Sequence, residues 1–249
     1  MRKLLCLGFF LLSISWAQSL LEQMQSTLDD GYYAVAAQVL GPELVADSSF
    51  SENAEAHYLY ANALFLTSNI ADARAQLDQA ISLSSTSLAR YDHLNGLLYA
   101  AEGRFSQALE TLRVTFEKSA DYETAMDWGR IAWQAGNLDE ALEAFGKAAE
   151  TSQGQKELWP FLNRGRILKD QANFDGALEA FNQAIEVFSA NDASVGDLPS
   201  PGYVEAFYQL GTVYEALGNV QEARLNYESA ITIGANYPLA VQALERLGN

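Results

Sequence analysis

Residues 135–145 read AGNLDEALEAF, and the same phrase returns with altered charged letters at 103–112 (GRFSQALETL), 172–181 (ANFDGALEAF) and 218–227 (GNVQEARLNY). The alanine shared by these phrases and by a fainter one upstream recurs every 33 to 46 residues, at Ala73, Ala108, Ala141, Ala177 and Ala223. Self-similarity at this interval indicates an array of short structural units, each of which packs on its neighbours.

Three further positions keep their character relative to this alanine. In the best-formed phrase a small residue, Gly129, lies twelve positions before it, Gly136 lies five before it, and a large apolar side chain, Phe145, follows four after it. Apolar residues recur three and four apart, which is the helical period, and a glycine can take the left-handed conformation that ends a helix. Each unit is therefore predicted to be two antiparallel helices joined by a tight turn.

This pattern resembles tetratricopeptide (TPR) repeats, whose period is about 34 residues. Residues 204–237 carry the resemblance most fully, with Ala235 where the family often has proline. The resemblance implies an all-α fold, a right-handed α-solenoid of helix-turn-helix units with a C-terminal capping helix. The matching positions of that last unit are Phe207, Leu210, Gly211, Tyr214, Ala223, Tyr227 and Ala230.

The repeats predict one solenoid domain over residues 18–249. In a degenerate first unit the turn and second helix are matched by DDGYYAVAAQVL, and Gly41-Pro42 is expected to break that helix. A Pro/Gly/Ser-rich loop at 192–203 stretches the fifth unit. That loop is either a tolerated surface insertion or a segment that contacts a partner. The predicted segments are the degenerate unit 18–53, the units 54–88, 89–121, 122–157, 158–203 and 204–237, and the cap 238–249.

Residues 1–17 have the pattern of a signal peptide. A basic start, MRK, precedes an apolar run too short for a comfortable membrane span, and Ser15-Trp16-Ala17 supplies small residues at a cleavage site. We expect an exported protein, periplasmic or secreted, and a retained N-terminal anchor is the alternative. Cleavage would also remove Cys6, the one cysteine, so no disulfide is expected.

The composition is strongly acidic, with 32 acidic and 15 basic residues and a formal net charge of −17. Such a charge argues against nucleic acid and anionic lipid as partners, and it keeps the surface solvated. No membrane association is predicted beyond the signal peptide.

The resemblance implies that the first helices of successive units line a concave groove that binds a peptide or partner segment. The side chains predicted to face it are rich in aromatic and basic residues, the usual carriers of binding energy, which favours a partner of acidic character. The alternative is that the aromatic rings pack between units and the arginines pair with neighbouring glutamates. The predicted groove residues are Tyr58, Asn62, Phe65, Arg90, His93, Met126, Arg130, Trp133, Trp159, Arg166, Lys169, Tyr208 and Thr212.

No sequence pattern for catalysis, a cofactor or a metal is present, so we predict a protein that is not an enzyme. His57 occupies a core-facing position and is expected to pack rather than to bind a metal with His93. The functional hypothesis is a protein-interaction scaffold of the bacterial cell envelope. A structural module that forms homo-oligomers is the second hypothesis, and an enzyme or carbohydrate-binding domain is the third.

Overall fold

The computed structural model describes residues 2–86, 88–191, 200–234 and 237–248, and the side chains of residues 2–15, 48 and 191 are left out of the description. Within these ranges every regular element is a helix, which confirms the all-α fold class. The chain forms two compact units, Met1–Ser119 and Ala120–Asn249, and each is described by itself. The repeat boundaries inside them stay predictions.

The first unit consists of seven helices in its described residues, and consecutive helices form antiparallel pairs. The tightest pairs are α4 with α5 and α6 with α7, while α2 and α5 pack on the first helices of the pairs that follow them. The helices are α1 Arg2–Asp29, α2 Tyr33–Ala46, α3 Ser48–Ser51, α4 Ala54–Leu66, α5 Ile70–Leu83, α6 Ala89–Ala101 and α7 Phe105–Ser119.

The second unit repeats the arrangement with three helical pairs and a final helix that packs on α13. Its last helix begins at a proline in the first turn, where the missing N–H is not needed. The elements are α8 Tyr122–Gln134, α9 Leu138–Glu150, a short 3-10 helix Gly154–Lys156, α10 Trp159–Asp170, α11 Phe174–Asn191, α12 Pro201–Ala216, α13 Val220–Ile233 and α14 Pro238–Leu247.

Small residues of the first helix in each pair allow the second helix to approach closely. A Cβ atom built on Gly165 would lie 2.5 Å from Cε1 of Phe181, and one on Gly129 would lie 2.7 Å from Cδ1 of Phe145. Both rings are fully buried, so they have no space into which to move. Glycine is therefore required at these positions by packing, since real Cβ atoms essentially never come this close.

The turns inside the pairs share one geometry. After α8, Gly136 has φ +80° and donates its N–H to the Trp133 carbonyl at 3.0 Å, while Asn137 N–H bonds to the Ala132 carbonyl at 2.9 Å. After α10 the same hydrogen bonds form, although the left-handed position holds Ala172 with φ +57°. The turn after α10 therefore places an L-residue where the conformation favours glycine.

The expected break at Gly41-Pro42 is wrong. Helix α2 continues through Pro42 to Ala46, with Leu40 and Leu44 buried on either side of the proline. Proline removes one backbone donor, but burial of these leucines against neighbouring helices keeps the segment helical. Gly41 fits the same packing, because a Cβ there would lie 2.9 Å from Oη of Tyr60.

The predicted loop at 192–203 is longer than the structure allows. Its residues 192–199 lie outside the described residues, and α12 begins at Pro201, so the last three residues of the predicted loop are helical. Proline is favoured in a first helical turn because its φ angle suits the helix and its absent N–H would have no partner there.

Residues 2–17 of the predicted signal peptide form the start of α1. At the expected cleavage site Trp16 packs edge-on against Phe50, with ring centroids 5.6 Å apart, and Ala17 is buried. Over the described part of the chain, none of the helices combines the length and the apolar character needed to cross a membrane.

Replacing Gly165 with alanine is expected to destabilise the protein, and Gly146→Ala is the matched control. The clash with buried Phe181 costs about 1–3 kcal/mol, which exceeds the gain of about 0.5–1 kcal/mol that alanine brings to a helix. Gly146 lies in α9 with no neighbour within 4 Å of a built Cβ, so the control is expected to gain stability. Urea unfolding of both variants measures the difference, and an unchanged or raised midpoint for Gly165→Ala would contradict the packing argument.

Replacing Ala172 with glycine is expected to stabilise the protein by up to about 1 kcal/mol, because glycine adopts a left-handed conformation without steric penalty. The reciprocal change, Gly136→Ala, is expected to cost a similar amount, since nothing lies within 4 Å of its built Cβ and only the backbone conformation opposes it. Thermal unfolding monitored by circular dichroism measures both changes. A loss of stability in Ala172→Gly would show that φ strain is absent there.

Candidate functional site

The predicted groove residues lie on the first helices of the pairs, in two sets that belong to different units. Tyr58, Asn62 and Phe65 are on α4, and Arg90 and His93 are on α6. The second unit holds the remainder, three on α8, three on α10 and two on α12: Met126, Arg130, Trp133, Trp159, Arg166, Lys169, Tyr208 and Thr212.

In the first unit an aromatic pair and one arginine form the centre of the set. The rings of Tyr58 and Tyr91 stack with centroids 4.8 Å apart, and the Arg90 guanidinium lies 5.1 Å from the first ring and 5.5 Å from the second. Arg90 also forms an ion pair with Glu55. Its positive charge is therefore already engaged by a carboxylate and two π faces.

Burial is the main cause of the pKa shifts of Tyr58 and Glu55. It raises the pKa of Tyr58 to about 12, and the nearby Arg90 opposes the shift only in part. Burial also raises the pKa of Glu55, again against the effect of Arg90. Asn62, Phe65 and His93 are half-buried, and Phe65 packs against the core beneath α4 and α6.

A cavity in the first unit includes only one of the predicted residues, Arg90. This N-terminal pocket has a volume of about 1090 Å³ and is bounded by α1, α3 and the start of α4. Sequence reasoning missed it because residues 18–53 match the repeat pattern poorly. Its lining consists of Ala17, Gln18, Leu21, Glu22, Gln25, Asp47, Ser49, Glu52, Asn53, Ala54, Glu55, Leu59 and Arg90.

In the second unit three predicted residues meet in one pocket. Met126 and Arg130 of α8 line it together with Trp159, which begins α10, and its volume is about 350 Å³. Trp159 is 37% exposed, although one edge of its ring lies about 3.0 Å from a Cβ built on Gly202. This inner pocket also contains Tyr122, Glu123, Asp127, Gln153 and Glu157, and Trp133 is half-buried outside it.

Burial raises the pKa of Tyr122 in the inner pocket, and the carboxylates of Glu157 and Glu123 strengthen the effect. Its hydroxyl therefore stays protonated at neutral pH and can serve as a hydrogen-bond donor. Arg130 forms an ion pair with Asp127, one helical turn earlier. The arginine side chain of that pair is 67% exposed and the aspartate side chain 17%, so the guanidinium is open to water while the carboxylate is largely shielded.

The other two predicted cations join α10 to α12. Arg166 donates from Nε to Glu205 Oε1 at 3.0 Å, and Lys169 donates from Nζ to Gln209 Oε1 at 2.7 Å. The Arg166 side chain is only 27% exposed, so this pair is shielded from solvent more than that of Arg130. Arg166 therefore acts chiefly as a bond between helices.

The two predicted residues of α12 lie on the same side as these bonds. Tyr208 packs near Tyr227 and Tyr237, with centroids 5.8 and 5.5 Å away, and the Thr212 hydroxyl donates to the Gln209 carbonyl at 2.7 Å. The alternative interpretation, in which arginines pair with neighbouring glutamates, describes Arg90 and Arg166, whereas Arg130 pairs with Asp127.

Sequence reasoning also missed a cluster around Tyr99 in the first unit. Arg74 and Arg104 lie over its ring at 4.6 and 4.4 Å, and both bond to the Glu102 carboxylate, at 2.8 and 3.0 Å. The arginine side chains hold the pKa of Glu102 below its usual range. Arg74 precedes Glu102 by 28 residues, which is less than one repeat, so the repeat spacing did not indicate this pair.

No group of three or more His, Cys, Asp or Glu residues in the described ranges is arranged to hold a metal ion. His57 is buried, and its ring nitrogens lie 2.7 Å from Gln76 Oε1 and 3.1 Å from the Ser51 carbonyl oxygen. The imidazole is thus enclosed by hydrogen bonds on the core side of α4.

The tetratricopeptide repeat family model matches three stretches, residues 21–87, 93–156 and 162–238. Solved structures with the same fold include YrrB, described as a TPR protein with an unusual peptide-binding site, at 21% identity and a TM-score of 0.59, covering 83% of this chain and 98% of YrrB. No curated protein sequence matches the chain.

Two further solved structures have the same fold. PilW, a widely conserved type IV pilus biogenesis factor, has a TM-score of 0.67 at 14% identity, over 89% of this chain and 94% of its own. PilF of Pseudomonas aeruginosa has a TM-score of 0.65 at 15% identity, over 92% and 96%. Identities this low show a common fold.

The Tyr58 cluster predicts a loss of stability at alkaline pH. The folded chain keeps the Tyr58 proton up to a pKa of about 12, against a reference value of 10.0, so between these values the unfolded state binds fewer protons and stability falls as pH rises. Tyr58→Phe is expected to flatten this fall, and Tyr32→Phe, at a 62% exposed side chain, is the control. Urea unfolding at a series of pH values measures the slopes, and equal slopes in wild type and Tyr58→Phe would contradict the assignment.

Proposed function

This chain belongs to the tetratricopeptide repeat family, and on that premise we propose that it is a non-catalytic protein-interaction scaffold of the bacterial cell envelope. It binds a peptide or a segment of a partner protein on the inner side chains of its first helices. Stacked helical pairs suit this role, because within each unit every pair adds side chains from its first helix to a shared face.

The observation that carries the proposal is the inner pocket of the second unit. Met126 and Trp159 lie 33 residues apart in the chain, yet they meet with Arg130 around one cavity. A tryptophan that remains 37% exposed costs free energy in water and becomes a contact of high value when a partner covers it. Large apolar side chains beside an arginine are typical of the centre of a protein interface.

The envelope location rests on residues 1–17. Their basic start, apolar run and small residues near Ala17 are typical of a signal that directs a chain to export. PilW, a type IV pilus biogenesis factor, has the same fold. Its identity of 14% is too low to support more than the fold, so the envelope location is argued from residues 1–17. The exported chain is periplasmic or secreted.

Arg130 of α8 and Lys169 of α10 are the two side chains of the second unit that favour an acidic partner. The Arg130 side chain is largely exposed, so its guanidinium can donate to a partner carboxylate while it stays paired with Asp127. Lys169 forms no ion pair with any described residue and bonds only to the neutral Gln209. A carboxylate of the partner would therefore find its strongest bonds at these two cations.

The test begins with proteins captured from an envelope fraction on the immobilised chain, and the captured partner is then purified for calorimetric titration. The double variant Met126→Ala with Trp159→Ala is expected to weaken binding by about 10- to 30-fold, the usual effect of losing central interface anchors. The matched control is Val220→Ala with Leu225→Ala, which removes exposed apolar side chains from α13. Equal affinity for both double variants would overturn the proposed site.

The charge of the partner is tested on the same complex. Arg130→Gln with Lys169→Gln is expected to weaken binding about tenfold and to reduce its dependence on salt, because two charge-assisted bonds are lost. Arg113→Gln with Lys147→Gln removes the same charge from second helices and should leave the affinity within about twofold. Light scattering of each variant verifies that its oligomeric state is unchanged, which separates this function from the oligomerisation hypothesis.

A further inference from the structure

The N-terminal pocket combines an apolar floor with an open, polar rim. Its apolar lining beyond the predicted signal peptide comes from two helices, with Leu21 on α1 and Ala54 and Leu59 on α4. The volume of about 1090 Å³ lies just above the range of about 300–1,000 Å³ that is usual for ligand clefts. A cavity of this size and composition has room for several side chains of a protein segment.

Negative charge dominates the rim. Four carboxylates line the pocket, from Glu22, Asp47, Glu52 and Glu55. Asp47 accepts a hydrogen bond from the Ser49 amide at 2.8 Å, which lowers the pKa of its carboxyl and keeps it ionised. Glu22 and Glu52 are exposed side chains at the mouth. The pocket therefore has the electrostatic character of a cation-binding cleft.

The single positive charge in the lining does not offset this character. Arg90 is bound to Glu55 and lies over the rings of Tyr58 and Tyr91. An anionic ligand would have to displace the Glu55 carboxylate, which is half-buried and would then lack its partner. The remaining three carboxylates would repel the same ligand.

We propose that the N-terminal pocket binds a basic, amphipathic segment of a partner protein. Lysine or arginine side chains of the segment pair with Glu22 and Glu52 at the mouth, while its apolar side chains enter the cavity beside Leu21 and Ala54. The proposal deepens the proposed function and rests on it, since it assigns to the first unit a partner segment of stated chemistry. That segment is distinct from the carboxylate-bearing contact assigned to Arg130 and Lys169.

Charge complementarity selects this occupant over others. The apolar floor favours a ligand with carbon side chains over a hydrated ion, and the carboxylates of the described residues are not gathered into a metal-binding group. A segment with alternating lysine and leucine satisfies both parts of the lining, because it buries apolar surface and keeps its ammonium groups at the rim.

The experiment uses the full chain and synthetic peptides, so it needs no captured partner. Fluorescence anisotropy measures binding of a labelled peptide of alternating lysine and leucine at physiological salt, and a peptide with glutamate in place of lysine is the second probe. The lysine peptide is expected to bind at least about tenfold more tightly than the glutamate peptide.

Matched charge variants localise the binding. Glu22→Gln with Glu52→Gln is expected to weaken binding of the lysine peptide about tenfold, from two surface pairs of about 0.7 kcal/mol each. Glu143→Gln with Glu179→Gln removes the same charge from exposed positions on α9 and α11 and is expected to change it less than about twofold. All four positions are exposed, so thermal unfolding verifies that the variants stay folded.

Each outcome decides the proposal. The proposal is supported if affinity for the lysine peptide falls in the Glu22/Glu52 variant and not in the Glu143/Glu179 variant. An equal fall in both variants indicates general attraction to an acidic surface and overturns the proposal. Tighter binding of the glutamate peptide, or absence of binding by either peptide, also overturns it. Because the captured-partner titration depends on Met126 and Trp159 of the second unit, a failure here leaves the proposed function standing.

Discussion

At four places a glycine of a first helix lies so close to the second helix of its pair that a Cβ atom would come within 2.5 to 2.7 Å of a leucine or aromatic side chain. This contact sets the separation of the paired helices and therefore the direction in which their remaining side chains point. The pairs are Gly96 with Leu112, Gly129 with Phe145, Gly165 with Phe181, and Gly211 with Tyr227.

Once the helical pairs are packed, the inner faces of first helices become available for contacts between repeats. Several such contacts are ionic and join residues about one repeat apart, such as Arg90 with Glu55 and Arg166 with Glu205. Glu215 and Arg246 tie α14 to α12 in the same way, with nitrogen-to-oxygen distances of 3.0 and 2.7 Å. Several of the few arginines are thereby paired within the molecule. The carboxylates outnumber the basic side chains, so many of them face solvent or line the pockets.

This use of charge alters the functional interpretation. Arginines on an inner face indicate an acidic partner only if their charge is available, and Arg90 and Arg166 have carboxylate partners that are partly shielded from water. Arg130 and Lys169 can still contact a partner carboxylate. The Arg130 side chain is largely exposed to solvent, and the Lys169 ammonium bonds to the neutral Gln209. The N-terminal pocket offers no cation of this kind, because the arginine in its described lining, Arg90, is already paired with Glu55.

The sequence by itself determined the repeat, the helical pairs and the contact of small with large residues, because these depend on the 3.6-residue period and on spacings inside one hairpin. It also indicated that Met126, Arg130 and Trp159 share a face. Only the tertiary structure decided that α2 continues through Pro42, that α1 and α4 enclose a pocket, and which arginines are paired. Those outcomes depend on distances between side chains of different hairpins, and such distances follow from how the helices pack rather than from any local pattern of residues.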